Sequence, residues 1–104
     1  MTKQRGMPAA AVTSTAAACG IFKLLSDESR LKILVLLLQH GPSDVSTLCD
    51  ILAQSQPAVS HHLAILRMVG AVEATPIGKR RVYSLESEPL RDILRNFFSG
   101  GKHE

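Results

Sequence analysis

The sequence of 104 residues has no tryptophan and only two cysteines, Cys19 and Cys49. So few cysteines exclude the disulfide framework of small secreted domains and favour a reducing, cytoplasmic setting. The longest apolar run, Ile33–Leu38, is far below the roughly 20 residues that cross a bilayer, so no membrane partner is expected. The N-terminal segment also lacks the strongly apolar centre of a secretory signal.

Positively charged residues are only slightly in excess of negatively charged ones. Lys and Arg number 12 against 9 Asp and Glu, which gives a net charge of +3. This balance favours a polyanionic partner without requiring one. The length suits one domain with a modest core and is too short for two independent domains.

The first half of the chain predicts an N-terminal arm and two helices. Residues 1–10 have no apolar period and predict a flexible arm, whereas the alanine-rich segment Ala11–Leu25 predicts a helix. Ser26 or Asp27 can cap a second helix that ends at Gly41 and the following proline. Because this second helix is apolar nearly all round, we expect it to be central in the core.

Two shorter helices are predicted next. Ser43 or Asp44 can cap the third helix, and Ser55 can cap the fourth, with Pro57 in its first turn. The fourth helix is expected to run to about residue 69 and to end at Gly70. A buried stripe at helical spacing is predicted for the third helix, formed by Val45, Leu48, Cys49 and Leu52.

The remaining sequence predicts a β-hairpin and a last helix. The runs "AVEATP" and "RRVYSL" flank "IGK" and read as two strands around a glycine turn. Ser87 can cap a helix that ends at Gly100 and leaves a polar tail, residues 100–104. Two adjacent helices with a tight turn, followed by a β-ribbon, predict a mainly α winged helix-turn-helix domain over residues 11–99.

The fourth helix has an unusual outer face. Its core side is predicted from Val59, Leu63, Leu66 and Val69. The opposite side carries small or hydrogen-bonding residues, one cation and no acid: Gln56, Pro57, Ser60, His61, Ala64 and Arg67. An ordinary exposed face is rich in Lys and Glu, whereas a helix that enters the major groove benefits from short polar side chains. We therefore interpret this face as a DNA-reading surface.

The individual side chains fit that interpretation. Gln56 can pair with an adenine edge, Ser60 can bond to any base, and His61 can donate to guanine or to phosphate. Ser55 and the helix N-terminus offer N–H groups to a phosphate. His62 lies nearer the core side, and both a packed histidine and a DNA contact remain open for it.

The hairpin supplies cations at its tip, at Lys79, Arg80 and Arg81. They can lie along a phosphate backbone or enter the minor groove. The alternative is a basic turn that only increases solubility. Beside a helix of the recognition type, the cations favour double-stranded DNA as the partner.

Two other functional classes fit less well. Ser60 and His61 are adjacent on a helix and point about 100° apart, so they form no catalytic dyad. His61 and His62 likewise lack the spacing of helical metal ligands. We therefore expect no enzyme activity, cofactor or metal. A winged-helix module that binds protein instead of DNA would need an apolar or acidic patch on the fourth helix or the hairpin.

The segments "SDESRLKIL", "SQPAVSHHLAILRMVGAV" and "GKRRVYSL", in this order and spacing, resemble the ArsR/SmtB family of small winged-helix transcription repressors. The resemblance spans about Ala18 to Phe98. It implies a cytoplasmic homodimer that binds a palindromic operator and is released by an inducer, with the first and last helices at the interface. The implied interface residues are Phe22, Leu90, Ile93, Leu94, Phe97 and Phe98. The apolar surface of the last helix independently favours a partner chain.

The sequence departs from the family at the sensing sites. Asp44 and Ser46 stand where the family's Cys-x-Cys metal site has its thiolates. A second family site on the last helix would have only Asp92 and the terminal residues His103 and Glu104. Cys19 and Cys49 remain, either as two small apolar residues or as a redox-responsive pair. The inducer is not identified by the sequence.

Overall fold

The computed structural model describes residues 9–98 as five helices and three strands. The elements are α1 (Ala9–Leu25), α2 (Glu28–His40), β1 (Ser43–Asp44), α3 (Val45–Leu52), α4 (Gln56–Met68), β2 (Val72–Ile77), β3 (Arg80–Leu85) and α5 (Glu88–Phe98). This is the predicted winged helix-turn-helix. The polar tail and most of the predicted N-terminal arm lie outside the described residues, and the first helix begins at Ala9.

Helix α2 lies at the centre of the fold, as predicted. It packs against α1, α3, α4, α5 and β3. Its residues Ile33, Leu34 and Leu37 are buried. Asp27, the second of the two predicted caps, accepts a hydrogen bond from a backbone N–H of the first turn. Gly41 ends the helix at a φ of 86°, a conformation that favours glycine.

The turn between α3 and α4 is tight and is tied to α2. Asp44, and not Ser43, caps α3 and accepts from the N–H of Thr47 at 2.9 Å. Ala53 ends α3 in the left-handed region at a φ of 56°. The Gln54 side-chain amide then donates to the Ser29 hydroxyl at 2.9 Å. This long-range hydrogen bond holds the turn, and hence the start of α4, against the first turn of α2.

The sheet has three strands in the order β1-β3-β2, and the sequence predicts only the β2-β3 hairpin. Strand β1 pairs antiparallel with β3, with Ser43 opposite Tyr83 and Asp44 opposite Val82. Two residues are too few to show an alternating pattern, so β1 has no sequence signature. In the hairpin, Gly78 at a φ of 63° begins a two-residue loop, as in a type II′ turn.

The core side of α4 is predicted correctly except at its end. Val59, Leu63 and Leu66 are 0% exposed, but Val69 is 59% exposed. The prediction for Val69 is wrong because α4 ends at Met68 and the chain leaves the helical period there. In α3, Leu48 is buried and the other three members of the predicted stripe are partly buried against the same core.

The apolar residues of α5 divide into two groups. Leu90 and Leu94 are 2% and 0% exposed because they belong to the chain's own core, and Ile93 is half-buried. The sequence assigned Leu90 and Leu94 to an intermolecular interface, and this assignment is corrected because both side chains pack inside their own chain. Phe97 and Phe98 are 75% and 40% exposed. Phe22 on α1 is also exposed. None of the helices within residues 9–98 is long and apolar enough to cross a membrane.

Candidate nucleic-acid interface

Helix α4 presents its polar face because both its start and its underside are held by the scaffold. The Ser55 hydroxyl caps the helix by accepting from the N–H of Ala58 at 3.3 Å. Pro57 occupies the first turn, where its missing N–H leaves no hydrogen bond unmade. The fully buried Val59, Leu63 and Leu66 then fix the rotation of the helix about its axis.

A groove of about 450 Å³ runs between α4, the start of α3 and the hairpin formed by β2 and β3, which we call the wing. Its lining residues are Asp44, Val45, Ser46, Gln56, Ser60, Ala64, Arg67, Lys79, Arg80, Arg81 and Tyr83. Six side chains predicted to contact DNA are thus brought together from two separate segments. The polar face of α4 forms one wall, and the basic wing forms the other.

Three other predicted residues lie outside this groove. Ser55, Pro57 and His61 are exposed but do not line it. His61 follows Ser60 and so points about 100° farther round the helix, onto its outer flank. His62 is half-buried, and its Nδ1 is buried without a hydrogen-bond partner among the described residues. Its ring centroid lies 5.8 Å from that of His61. This placement favours the packed histidine over the DNA contact.

The wall of the groove also contains residues that the sequence does not assign to DNA. Tyr83 is 7% exposed, and Arg81 lies over its ring at 5.8 Å from the centroid. Arg81 and Tyr83 are two residues apart on β3, so both lie on the strand face that lines the groove. Val45 and Ser46 enter because β1 pairs with β3 and brings the start of α3 beside the wing. No local pattern could predict this, since it depends on pairing between residues about forty positions apart in the chain.

The groove cations have few anionic partners. Arg80 forms an ion pair with Asp44 at 3.2 Å. Within residues 9–98, Arg67, Lys79 and Arg81 form no ion pair. Hydrogen bonds from Thr47, aided by the charge of Arg80, hold the pKa of Asp44 below its ordinary value. Asp44 is therefore ionised at neutral pH and is the single carboxylate among the lining residues.

The remaining candidate residues concern metal binding and thiol chemistry. No group of three or more His, Cys, Asp or Glu side chains there could hold a metal ion. Asp92 instead pairs with Arg95 at 3.5 Å, and His103 and Glu104 lie outside the described residues. Both cysteines are free thiols: Cys19 is exposed on α1 and Cys49 is half-buried against the core.

Comparison with known proteins identifies the family. The family model described as "Bacterial regulatory protein, arsR family" matches residues 27–74. A protein of Methanocaldococcus jannaschii described as an uncharacterized HTH-type transcriptional regulator is 37% identical over 78 residues, which are 75% of this chain and 88% of that protein. The arsenical resistance operon repressor of Escherichia coli is 46% identical over 65 residues, which are 62% of this chain and 56% of the repressor.

A solved structure extends the likeness to three dimensions. The transcriptional regulator HlyU of Vibrio vulnificus superposes with a TM-score of 0.77 at 33% identity, over 84% of this chain and 90% of that one. The winged helix-turn-helix, the groove and the sequence relatives agree with one another. The chain therefore belongs to the arsR family and is a DNA-binding transcriptional regulator.

Proposed function

We propose that this chain is a repressor that binds a palindromic double-stranded operator as a homodimer and releases it when an inducer is sensed. The observation that carries the proposal is the groove, where an acid-free α4 face meets the basic wing and where Arg67, Lys79 and Arg81 have no ion-pair partner within residues 9–98. The named function of the E. coli relative, an operon repressor, supports the direction of regulation. A cytoplasmic location belongs to the same proposal.

The two walls of the groove have different roles in this proposal. Gln56 and Ser60 contact base edges in the major groove, because their short side chains can donate and accept there. Arg67, Lys79 and Arg81 contact phosphates and provide affinity that does not depend on sequence.

The outer flank of α4 has a supporting role. His61 and the α4 N-terminus at Ser55 and Pro57 are exposed beside the groove. In this proposal they contact the adjacent phosphate backbone when Gln56 and Ser60 contact the bases, because a helix in the major groove has a backbone on each side.

The homodimer is supported by exposed aromatic side chains. Phe22 on α1 and Phe97 on α5 are 60% and 75% exposed, and Phe98 adds to the surface of α5. Burying these rings against a second copy removes apolar area from water. Two copies related by a two-fold axis place their α4 helices in successive major grooves, about 34 Å apart.

Binding of labelled duplex DNA across a salt series tests the proposal. We expect binding at low salt and a steep linear fall of log affinity with log salt concentration. Gln56→Ala should weaken binding to an operator selected from a random pool by about 1–3 kcal/mol and should change affinity for random DNA little. Absence of binding at low salt would refute the repressor and would favour the alternative, a winged-helix module that binds protein.

Sedimentation equilibrium tests the dimer separately. Phe97→Ser should shift the chain toward monomer. Met68→Ser is the control and should not, because it also replaces an exposed apolar residue but lies at the end of α4. A wild-type chain that is monomeric at high concentration would contradict this part of the proposal. Monomeric protein that still binds DNA would leave the role of the groove intact.

The thiol hypothesis for the inducer stays a prediction. Cys19 is accessible on α1, whereas Cys49 is only partly exposed. Mass spectrometry after mild oxidation, with Cys19→Ser and Cys49→Ser as comparisons, tests whether a bridge forms. DNA binding that is insensitive to oxidation would contradict a redox function.

A further inference from the structure

The carboxylate of Asp44 lies in a groove that otherwise suits a polyanion. Its side chain is only 13% exposed, so it is held in the groove wall and does not extend into solvent. One oxygen, Oδ1, accepts from the backbone N–H of Thr47 at 2.9 Å, and the other, Oδ2, lies 3.2 Å from Nη1 of Arg80. Both oxygens therefore have fixed partners.

The position of Asp44 is determined by two elements at once. It is the last residue of β1, paired with Val82 of β3, and it is also the N-cap of α3. Arg80 begins β3 at the wing and is 63% exposed, so its remaining N–H donors can reach another anion. The ion pair thus joins the start of the helix-turn-helix to the wing.

We propose that Asp44 is an internal counter-ion of Arg80 that competes with DNA phosphate and makes the chain more selective for its operator. This inference rests on the proposed DNA-binding function. On DNA of unmatched sequence, a phosphate that approaches Arg80 must displace Asp44 or bind beside the negative charge of Asp44. The net gain in binding free energy is therefore small. On the operator, contacts from α4 to the bases hold the chain in a register in which Arg80 keeps Asp44 as its partner, so the operator complex does not incur this cost.

Substitution of Asp44 by Asn tests the inference without removing the helix cap, because Asn caps helices about as well as Asp. Asp50→Asn is the matched control, since it removes the same charge from an exposed position of α3 that does not line the groove. With a random-sequence duplex as the probe, Asp44→Asn should raise affinity about 2- to 5-fold more than Asp50→Asn. The ratio of operator affinity to random-DNA affinity should fall by a similar factor.

A double-mutant cycle tests whether Asp44 acts through Arg80. In an Arg80→Ala background, Asp44→Asn should have no larger effect than Asp50→Asn, because the competition has lost its cation. An effect that persists in that background would overturn the inference and identify Asp44 as a general repulsive charge. Equal effects of Asp44→Asn and Asp50→Asn in the otherwise wild-type chain would also overturn it while leaving the proposed DNA binding intact.

A measurement without DNA checks the ion pair itself. In a carbon-13 NMR titration, Arg80→Ala should raise the pKa of the Asp44 carboxyl, because a neighbouring cation is lost. An unchanged pKa would show that the pair does not form in solution and would overturn the inference. Wild-type protein that binds no DNA at low salt overturns the proposed function as well, so the two failures are distinguishable.

Discussion

The cations of α2 and α5 and those of the groove differ in their partners. On α2, Lys32 pairs with Glu28 at 3.1 Å. On α5, Arg91 and Arg95 pair with acids three residues earlier. In the groove, only Arg80 has an ion-pair partner among the described residues. Pairs within one helix contribute a few tenths of a kcal/mol to its stability, whereas unpaired cations remain available for phosphate. Among the described residues of α2, α5 and the groove, the positions of the acids therefore separate paired cations from those that we propose contact DNA.

The largest expected effect concerns the two sides of α4. Leu63→Ala should lower the free energy of unfolding by about 2–5 kcal/mol, since Leu63 is fully buried and its truncation leaves a cavity. Ser60→Ala, one turn earlier on the groove side, should leave stability within about 0.5 kcal/mol and should weaken operator binding. Urea unfolding and DNA titration measure the two quantities. Comparable losses of stability in both variants would contradict the division of α4 into a structural and a functional face.

Removing a groove cation should weaken DNA binding, whereas removing a paired cation of α2 should not. Lys79→Ala and Arg81→Ala should each weaken binding to all sequences and reduce the slope of log affinity against log salt by about 1. Lys32→Ala is the charge-matched control, because Lys32 is paired with Glu28 and does not line the groove. A slope that falls equally in the control would show that only net charge matters.

A smaller effect is expected in the turn between α3 and α4. Ala53 has a positive φ of 56° and is exposed, so its methyl group costs strain and makes few contacts. Ala53→Gly should therefore raise the free energy of unfolding by about 0.5–1 kcal/mol, after the larger entropy of the unfolded glycine is subtracted. Ala64→Gly, inside α4 with ordinary helical backbone, should instead destabilise by a similar amount. Equal signs for the two variants in urea unfolding would contradict this account.

Two kinds of carboxyl group should respond differently to pH. Hydrogen bonds to Arg30 and Thr47, respectively, hold the pKa values of the caps Asp27 and Asp44 below the ordinary 3.8. The folded state then releases these protons more readily than the unfolded state. Their stabilisation is fully present above pH 3.8 and is lost as the pH falls through the lowered values. When the free energy of unfolding is measured against pH, it should fall less in acid for Asp27→Asn than for the wild-type chain.

Glu86 should behave in the opposite way. Its hydrogen bond with Glu73 and the repulsion between the two carboxylates raise its pKa above the ordinary 4.5. The folded state therefore binds this proton more tightly, and the stabilisation is lost as the pH rises through the raised pKa. Glu73→Gln should remove this loss and make the chain slightly more stable at neutral pH. A Glu73→Gln variant with the wild-type pH dependence would contradict the pairing.

Much of the fold could be predicted because its signals are local. The caps at Asp27, Asp44, Ser55 and Ser87 have polar side chains that accept from nearby N–H groups. The apolar spacing of α4 predicted its buried side and hence its polar face. The errors lie where local rules end: Val69 follows the last helical residue, and Leu90 and Leu94 pack into their own core, which apolar spacing cannot distinguish from an interface with a partner.

By itself, the sequence determined the order of the five helices and the hairpin, the rotation of α4 and the presence of cations at the wing, because helix periodicity and turn chemistry act over a few residues. Only the tertiary structure decided that Asp44, the cap of α3, faces Arg80 of the wing, since this contact depends on the pairing of β1 with β3. It likewise decided that Arg67, Lys79 and Arg81 have no ion-pair partner among the described residues. Both depend on distances between segments that are remote in the chain, which no local pattern encodes.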